Sequence, residues 1–495
     1  MRIFPLHATD FYKVGHIRQY PLGTSFVYSN FTCRSDKNAN VLPDFDHKTV
    51  FFGLQGVIQT LLLETWGRYF FMQPKGLVLA RYQRRMDASL GAGAVDTAHI
   101  AALHDLGYLP ILIKALPEGS RVDLRVPLFT VQNTHPDFFW LTNYIETQIS
   151  AEMWKMITSA TTAYEYFRLL TRYATLTGAP GAFVPWQGHD FSARGMSGIH
   201  DGATSGAAHL AAGFFGTDTI AAIDYLEDYY GATGLIGGSV PATEHSVMCM
   251  GGEDDEIGTF RRLITETYPS GIVSIVSDTW DFWNVITNTA RQLQGEILAR
   301  TPDALGNAKV VFRPDSGDPV KIICGDPGAP AGSPEHKGAV ECLWDIFGGT
   351  TTETGHRMLD ARVGLIYGDS INLDRAQRIL SELMVKKFAS SNIVFGIGSY
   401  TYQMATRDSF GTAIKATFGT VNGEDRVLFK APKTDDGVKN SARGLLRVEQ
   451  AGGRFVLHEN QTREQEQQGL LRTVFKNGQL LHTDDLATIR ARLLG

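Results

Sequence analysis

The run Lys309-Val310-Val311-Phe312, followed at once by Arg313-Pro314-Asp315-Ser316-Gly317-Asp318, decides the fold class. A short apolar run that ends in a polar turn reads as a buried strand. Three other runs repeat the plan. Gly271-Ile272-Val273-Ser274-Ile275-Val276 ends at Ser277-Asp278. Val363-Gly364-Leu365-Ile366-Tyr367 ends at Gly368-Asp369-Ser370, and Asn392-Ile393-Val394-Phe395 ends at Gly396-Ile397-Gly398-Ser399. Helical patterns lie between them; after the third run Leu373, Ala376, Ile379, Leu380 and Leu383 share one face. This alternation predicts an α/β fold of parallel strands with crossover helices, in a barrel or an open sheet. Ligands bind where the carboxyl ends of such strands open. Four successive polar strand ends therefore predict one shared site.

The flanks read differently. Residues 45–175 are mostly helical: Phe51, Leu54, Val57, Ile58, Leu61 and Leu62 recur at helical spacing, as do Trp140, Tyr144, Ile145, Ile149, Met153 and Trp154. Strands are expected at 109–117 and 121–126. Near the C-terminus Arg454-Phe455-Val456-Leu457-His458 reads as a strand. Val474 to Leu481 reads as a hairpin around Asn477-Gly478. Residues 324–358, rich in Gly, Pro, Ser and Thr, are expected to form a flexible excursion.

Composition bounds the function. The chain has 495 residues, which suggests one to three domains at about 150 residues each. Apolar residues make up 43%, enough for a large core. With 46 Lys plus Arg against 52 Asp plus Glu, the net charge is −6, so no global footprint for nucleic acid exists. A local basic pocket for a phosphorylated small molecule is compatible with that balance. Four cysteines without C-x-x-C spacing give neither a zinc site nor a disulfide scaffold. No signal peptide and no stretch of eighteen apolar residues is visible, so the expected location is the cytoplasm, away from membranes.

The strand ends suggest chemistry. Arg313 offers a planar fork to phosphate oxygens, and Asp315 an acceptor for sugar hydroxyls or a water-mediated hold on Mg²⁺. A plain Arg–Asp pair capping the turn is the competing reading. Gly398-Ser399 at a helix start lets phosphate approach backbone N–H groups. No P-loop motif occurs, which argues against a P-loop ATPase. His189 and His245 lie in polar segments without metal-ligand spacing, and a lone histidine is usually structural.

Taken together, the motifs identify a family. Asp10-Phe11-Tyr12-Lys13, Phe31-Thr32-Cys33-Arg34, His189-Asp190-Phe191 and Arg194-Gly195 stand in order along the chain. So do Gly216-Thr217-Asp218-Thr219, Val240-Pro241-Ala242-Thr243-Glu244-His245, Arg313-Pro314-Asp315-Ser316-Gly317, Gly368-Asp369 and Thr406-Arg407-Asp408. In these motifs the chain resembles the nicotinamide phosphoribosyltransferases, type II phosphoribosyltransferases, over nearly its whole length.

The resemblance implies an irregular β/α barrel over residues 181–395. A second α/β domain would be built from residues 1–180 and 396–495. It implies phosphoribosyl transfer from phosphoribosyl pyrophosphate to nicotinamide, with Mg²⁺ accompanying the pyrophosphate and ATP as co-substrate. It also implies a homodimer whose active sites draw on both subunits. Phe191 and the partner copy's Tyr12 would stack on the pyridine ring, and Asp218 would accept from the carboxamide. Arg194, Arg313, Asp315, Gly368, Asp369, Gly398 and Ser399 would hold the nucleotide and pyrophosphate. Arg407 and Lys415 would bind phosphate across the interface, with Arg34, Lys430 and Lys439 as further candidates. His245 matches a histidine phosphorylated by ATP, and Asp278 the acid that orients it. Ala193 departs from the pattern, where the animal enzymes have Tyr, and Ser399 replaces a Gly of the phosphate loop; the 324–358 loop is longer than usual. Nicotinate as acceptor and a catalytically silent homologue remain as alternatives.

Overall fold

The computed structural model describes residues 3–431 and 440–495. The four runs form the strands Val273–Val276, Val310–Arg313, Val363–Tyr367 and Val394–Ile397. Two short strands, Gly188–Asp190 and Gly216–Thr217, complete a six-stranded sheet. Across it the order is 216–217, 188–190, 394–397, 363–367, 310–313, 273–276, and every neighbouring pair is parallel.

The extended segment 238–243 bridges both edges of that sheet. Gly238 pairs with Gly216, and Ala242 pairs with Ser274. Thr217 N donates to Gly238 O at 3.0 Å, and Thr243 N donates to Ser274 O at 2.9 Å. Both edges thereby gain partners, and the sheet closes into the irregular β/α barrel expected from the resemblance. The predicted helix after the third strand is Leu373–Val385, with Leu373, Ala376, Ile379, Leu380 and Leu383 all buried. Asn372 caps it by accepting from Arg375 N at 2.9 Å.

A seven-stranded antiparallel sheet forms the second layer. Thr24–Thr32, Ile111–Ala115 and Pro127–Asn133 come from the N-terminal side. Ala413–Val421, Glu424–Val427, Arg472–Lys476 and Gln479–Leu480 come from the C-terminal side. The last two strands form the expected hairpin, with Asn477 and Gly478 both at positive φ. The long helix Glu146–Thr177 packs against the barrel helices Ile199–Ala211 and Leu373–Val385 and the strand Lys48–Val50. It ties the two layers together. Among the described residues no helix is long and apolar enough to cross a membrane.

One buried ion pair links the N-terminal and C-terminal contributions to the second layer. Lys114 Nζ lies 2.6 Å from Glu466 Oε2, and the side chains are 5% and 3% exposed. Removing one partner of a buried pair strands the other charge and costs about 3–5 kcal/mol. Lys114→Met should lower stability by that amount, read as a fall in the denaturant midpoint.

Two expectations need correction. The strand at 121–126 stops at Asp123, because Arg125 takes a positive φ of 70° and turns the chain. Residues 324–358 are not a flexible excursion. Turns occupy 325–333 and the tip of a short hairpin at 353–355. Ser333 then caps a short helix by accepting from His336 N, and Ala339–Phe347 buries Val340, Leu343, Ile346 and Phe347.

Candidate active site

The carboxyl ends of the barrel strands gather most of the predicted residues. Phe191 follows the strand Gly188–Asp190, and its N donates to Ile397 O at 3.0 Å. Its ring lies on a floor of two glycines. A Cβ on Gly396 would sit 2.3 Å from Phe191 Cδ2 and 2.6 Å from Gly368 Cα. A Cβ on Gly368 would sit 2.9 Å from the same ring. Only glycine permits so close an approach of backbone to an aromatic face.

Asp218 follows the neighbouring strand Gly216–Thr217. His189 Nε2 lies 3.0 Å from its Oδ1, and Ser239 Oγ donates to the same oxygen at 2.5 Å. The His189 ring in turn lies 4.9 Å from the Phe191 ring, so acid, imidazole and aromatic form one continuous wall. Burial works to raise the Asp218 carboxyl. The His189 hydrogen bond and charge, the Ser239 hydroxyl and the Arg313 charge outweigh it and hold the group below the ordinary carboxylate range. The result is a fixed anion at the barrel mouth, its side chain 46% exposed.

Arg313 ends its strand beside this wall. It forms no ion pair with Asp315 or Asp318, which disposes of the turn-capping reading. Its guanidinium donates instead to Thr243 O on the barrel-closing segment, while Asp318 caps the helix Pro319–Cys324 by accepting from Val320 N at 2.9 Å. Asp315 sits among charges. Burial pushes its carboxyl up; Arg313 and His245 pull it down, and Asp278 and Asp369 push it up again. These five residues, drawn from three strand ends and the segment after residue 243, thus share one electrostatic pocket.

Asp278 is the organiser of that pocket. Its Oδ2 accepts from Asp315 N at 2.8 Å and Ser316 Oγ at 2.6 Å. Its Oδ1 is buried without a hydrogen-bond partner and lies 3.9 Å from His245 Nε2. The other ring nitrogen, His245 Nδ1, lies 3.2 Å from Thr279 Oγ1, and the imidazole is half exposed. Asp278 can therefore receive an N–H from His245 after a small rotation.

Gly398 and Ser399 lead into Ser399–Tyr402, a helix of four residues, so the dipole there is modest. The Ser399 Cβ is accommodated because Gly195 faces it: a Cβ on Gly195 would lie 2.1 Å from Ser399 Oγ. Arg194, on the same turn as Gly195, is exposed. Ala193 is exposed as well and adds no wall to the pocket.

The remaining predicted residues form a second group on and beside the antiparallel sheet. Arg34 Nε donates to Gly411 O at 2.7 Å, which fastens the loop carrying Arg407. Burial pulls the Lys415 ammonium below its ordinary value; Glu146 opposes this, and Arg34, Lys430 and Lys13 add to it. Tyr12 is 63% exposed. Among the described residues, no hydrogen bond or ion pair joins Tyr12, Lys415 or Lys430 to Phe191, Asp218, Arg313 or Asp315. Lys439 lies outside the described residues.

The sequence reading did not pair His189 or Ser239 with Asp218, nor Thr243 with Arg313. These partners are 21 to 70 positions apart in the chain; pairing of neighbouring strands brings His189 to Asp218, and barrel closure brings Ser239 to Asp218 and Thr243 to Arg313. The dipeptide Gly238-Ser239 ahead of Val240-Pro241 was the available signal for that closing segment.

The molecule is thus a parallel barrel with an anion-and-arginine mouth, joined to an antiparallel layer. The fold is similar to a nicotinate-nucleotide pyrophosphorylase from Pyrococcus furiosus, with a TM-score of 0.57 at 13% identity over 99% of this chain and 95% of that one. It is also similar to human nicotinic acid phosphoribosyltransferase, with a TM-score of 0.53 at 15% identity over 98% and 93% of the two chains. Residues 186–479 match the nicotinate phosphoribosyltransferase (NAPRTase) family, and residues 5–65 match the nicotinamide phosphoribosyltransferase N-terminal domain. A nicotinamide phosphoribosyltransferase of Acinetobacter baylyi is 64% identical over 99% of this chain and 97% of its own length. One from Xanthomonas campestris pv. campestris is 32% identical over 98% and 96%. The chain belongs to the nicotinate phosphoribosyltransferase family and is a pentosyltransferase.

Proposed function

We propose that this enzyme transfers the phosphoribosyl group of phosphoribosyl pyrophosphate to nicotinamide, giving nicotinamide mononucleotide and pyrophosphate in NAD salvage. The observation that carries the reading is the ionised Asp218 carboxylate, pinned by His189 and Ser239 in the wall that holds Phe191. A carboxylate accepts from an amide NH₂ and repels the carboxylate of nicotinate. The two relatives named above carry the nicotinamide activity in their names, which agrees with that choice.

The chemistry follows from positioning and charge. Loss of pyrophosphate gives the anomeric carbon oxocarbenium character, as in glycosyl transfer. Phe191 on its glycine floor supplies a flat face for the neutral pyridine, and Asp218 turns its ring nitrogen toward the sugar. Asp315 and Asp369 face the ribose, while Arg313, Arg194 and the Gly398–Ser399 backbone meet phosphate oxygens. Among the described residues no group of three His, Cys, Asp or Glu could hold a metal ion. Mg²⁺ would be carried mainly by pyrophosphate, with Asp315 and Asp369 as outer partners, and would neutralise charge on the leaving group.

The exposed Tyr12, Arg407 and Lys430, with the half-buried Lys415, are assigned to the mouth of a second copy in a homodimer, where Tyr12 would cover the open face of the pyridine. His245 is assigned as the acceptor of a phosphoryl group from ATP, with Asp278 Oδ1 receiving the N–H of the other ring nitrogen. His245→Ala should abolish the stimulation by ATP and leave slow transfer, read as pyrophosphate released with and without ATP. Equal rates with and without ATP in the unaltered protein would count against the phosphohistidine. The reading as a whole is tested by supplying phosphoribosyl pyrophosphate and nicotinamide and measuring mononucleotide and pyrophosphate; formation of neither would refute it.

A further inference from the structure

The hydrogen bonds on Asp218 are one-sided. Both donors, His189 Nε2 at 3.0 Å and Ser239 Oγ at 2.5 Å, converge on Oδ1. Among the described residues none donates to Oδ2. Because a carboxylate only accepts, the proton on the His189 ring must sit on Nε2. The two donors also come from different walls. His189 belongs to the strand Gly188–Asp190, and Ser239 to the segment that closes the barrel. Space for the imidazole is made by Gly216, where a Cβ would lie 2.8 Å from His189 Nδ1. On its other side the ring packs against Phe191, tilted by 58°. His189 is only 9% exposed, so its orientation is set by this packing.

Resting on the nicotinamide reading above, we propose that His189, assisted by Ser239, is the positioning residue of the acceptor site: it saturates Oδ1 of Asp218 and presents Oδ2 alone to the carboxamide N–H. Without that anchor the carboxylate turns about its last torsion and divides its acceptor strength between two directions. The loss falls on nicotinamide, not on phosphoribosyl pyrophosphate, whose phosphates meet other strand ends.

Steady-state kinetics on the full chain test this. His189→Leu should raise KM for nicotinamide roughly tenfold, the worth of one charge-assisted hydrogen bond, with KM for phosphoribosyl pyrophosphate unchanged. His189→Gln, which keeps a side-chain N–H donor, should recover most of the loss. Ser239→Ala, at an exposed position that the fold tolerates, should raise the same KM by a smaller factor. In an Asp218→Asn background, His189→Leu should add almost nothing. The proposal is overturned if KM for both substrates rises together, if the Gln variant stays folded and is no better than Leu, or if the His189 and Asp218 effects multiply. The underlying reading fails separately: if Asp218→Asn leaves the preference between nicotinamide and nicotinate intact, nicotinamide recognition by Asp218 is wrong and this inference falls with it. If that variant shifts the preference and His189→Leu changes nothing, only the positioning role is lost.

Discussion

Asp218→Asn should lower the ratio of kcat/KM for nicotinamide to that for nicotinate by about 10³, a loss of roughly 4 kcal/mol in discrimination. The geometry gives the direction. His189 and Ser239 both donate to Oδ1, so the Asn carbonyl oxygen will take that place. Its NH₂ then stands where Oδ2 stood. Facing the carboxamide it sets donor against donor, and facing nicotinate it offers a hydrogen bond where there was charge repulsion. Nicotinamide turnover falls and nicotinate turnover rises. Kinetics with each acceptor separately read both halves of the effect, and a variant that lost both equally would point to a damaged pocket.

Gly396→Ala should raise KM for nicotinamide by about 10²-fold or more. The added methyl would lie 2.3 Å from Phe191 Cδ2 and 2.6 Å from Gly368 Cα, well inside contact distance. Gly396 lies in a barrel strand paired on both sides and Gly368 directly follows the neighbouring strand, so the backbone gives little, and the Phe191 ring has to leave its floor. Overpacking of this kind also costs about 1–3 kcal/mol of stability. Nicotinamide saturation curves and thermal unfolding separate the two consequences. A variant with normal saturation would show that the Phe191 face does not bind the acceptor.

The barrel was legible because its strands are short apolar runs that stop at polar residues, so Val273–Val276, Val310–Arg313, Val363–Tyr367 and Val394–Ile397 could be placed from pattern alone. The closing segment 238–243 carries no such run. Its role depends on pairing two sheet edges that no local pattern encodes. The stretch 324–358 misled for a different reason: Gly and Pro mark its turns, and the apolar face of Ala339–Phe347 was masked by the composition around it. At the site, residue types at the strand ends were readable, since Arg313 ends its strand and Asp315, Gly368 and Asp369 come just after theirs. The identity of Asp218 was readable too, from its motif. Its ionisation and its orientation were not, because both are set by His189 and Ser239 from elsewhere in the chain. Gly195 and Ser399 make the same point: the serine side chain fits only because a distant glycine faces it.

The most direct measurement is kcat/KM for nicotinamide and for nicotinate on the purified protein, side by side, at saturating phosphoribosyl pyrophosphate with ATP present. The account predicts that nicotinamide is preferred by about 10³-fold or more. Equal use of the two acceptors, or a preference for nicotinate, would contradict it.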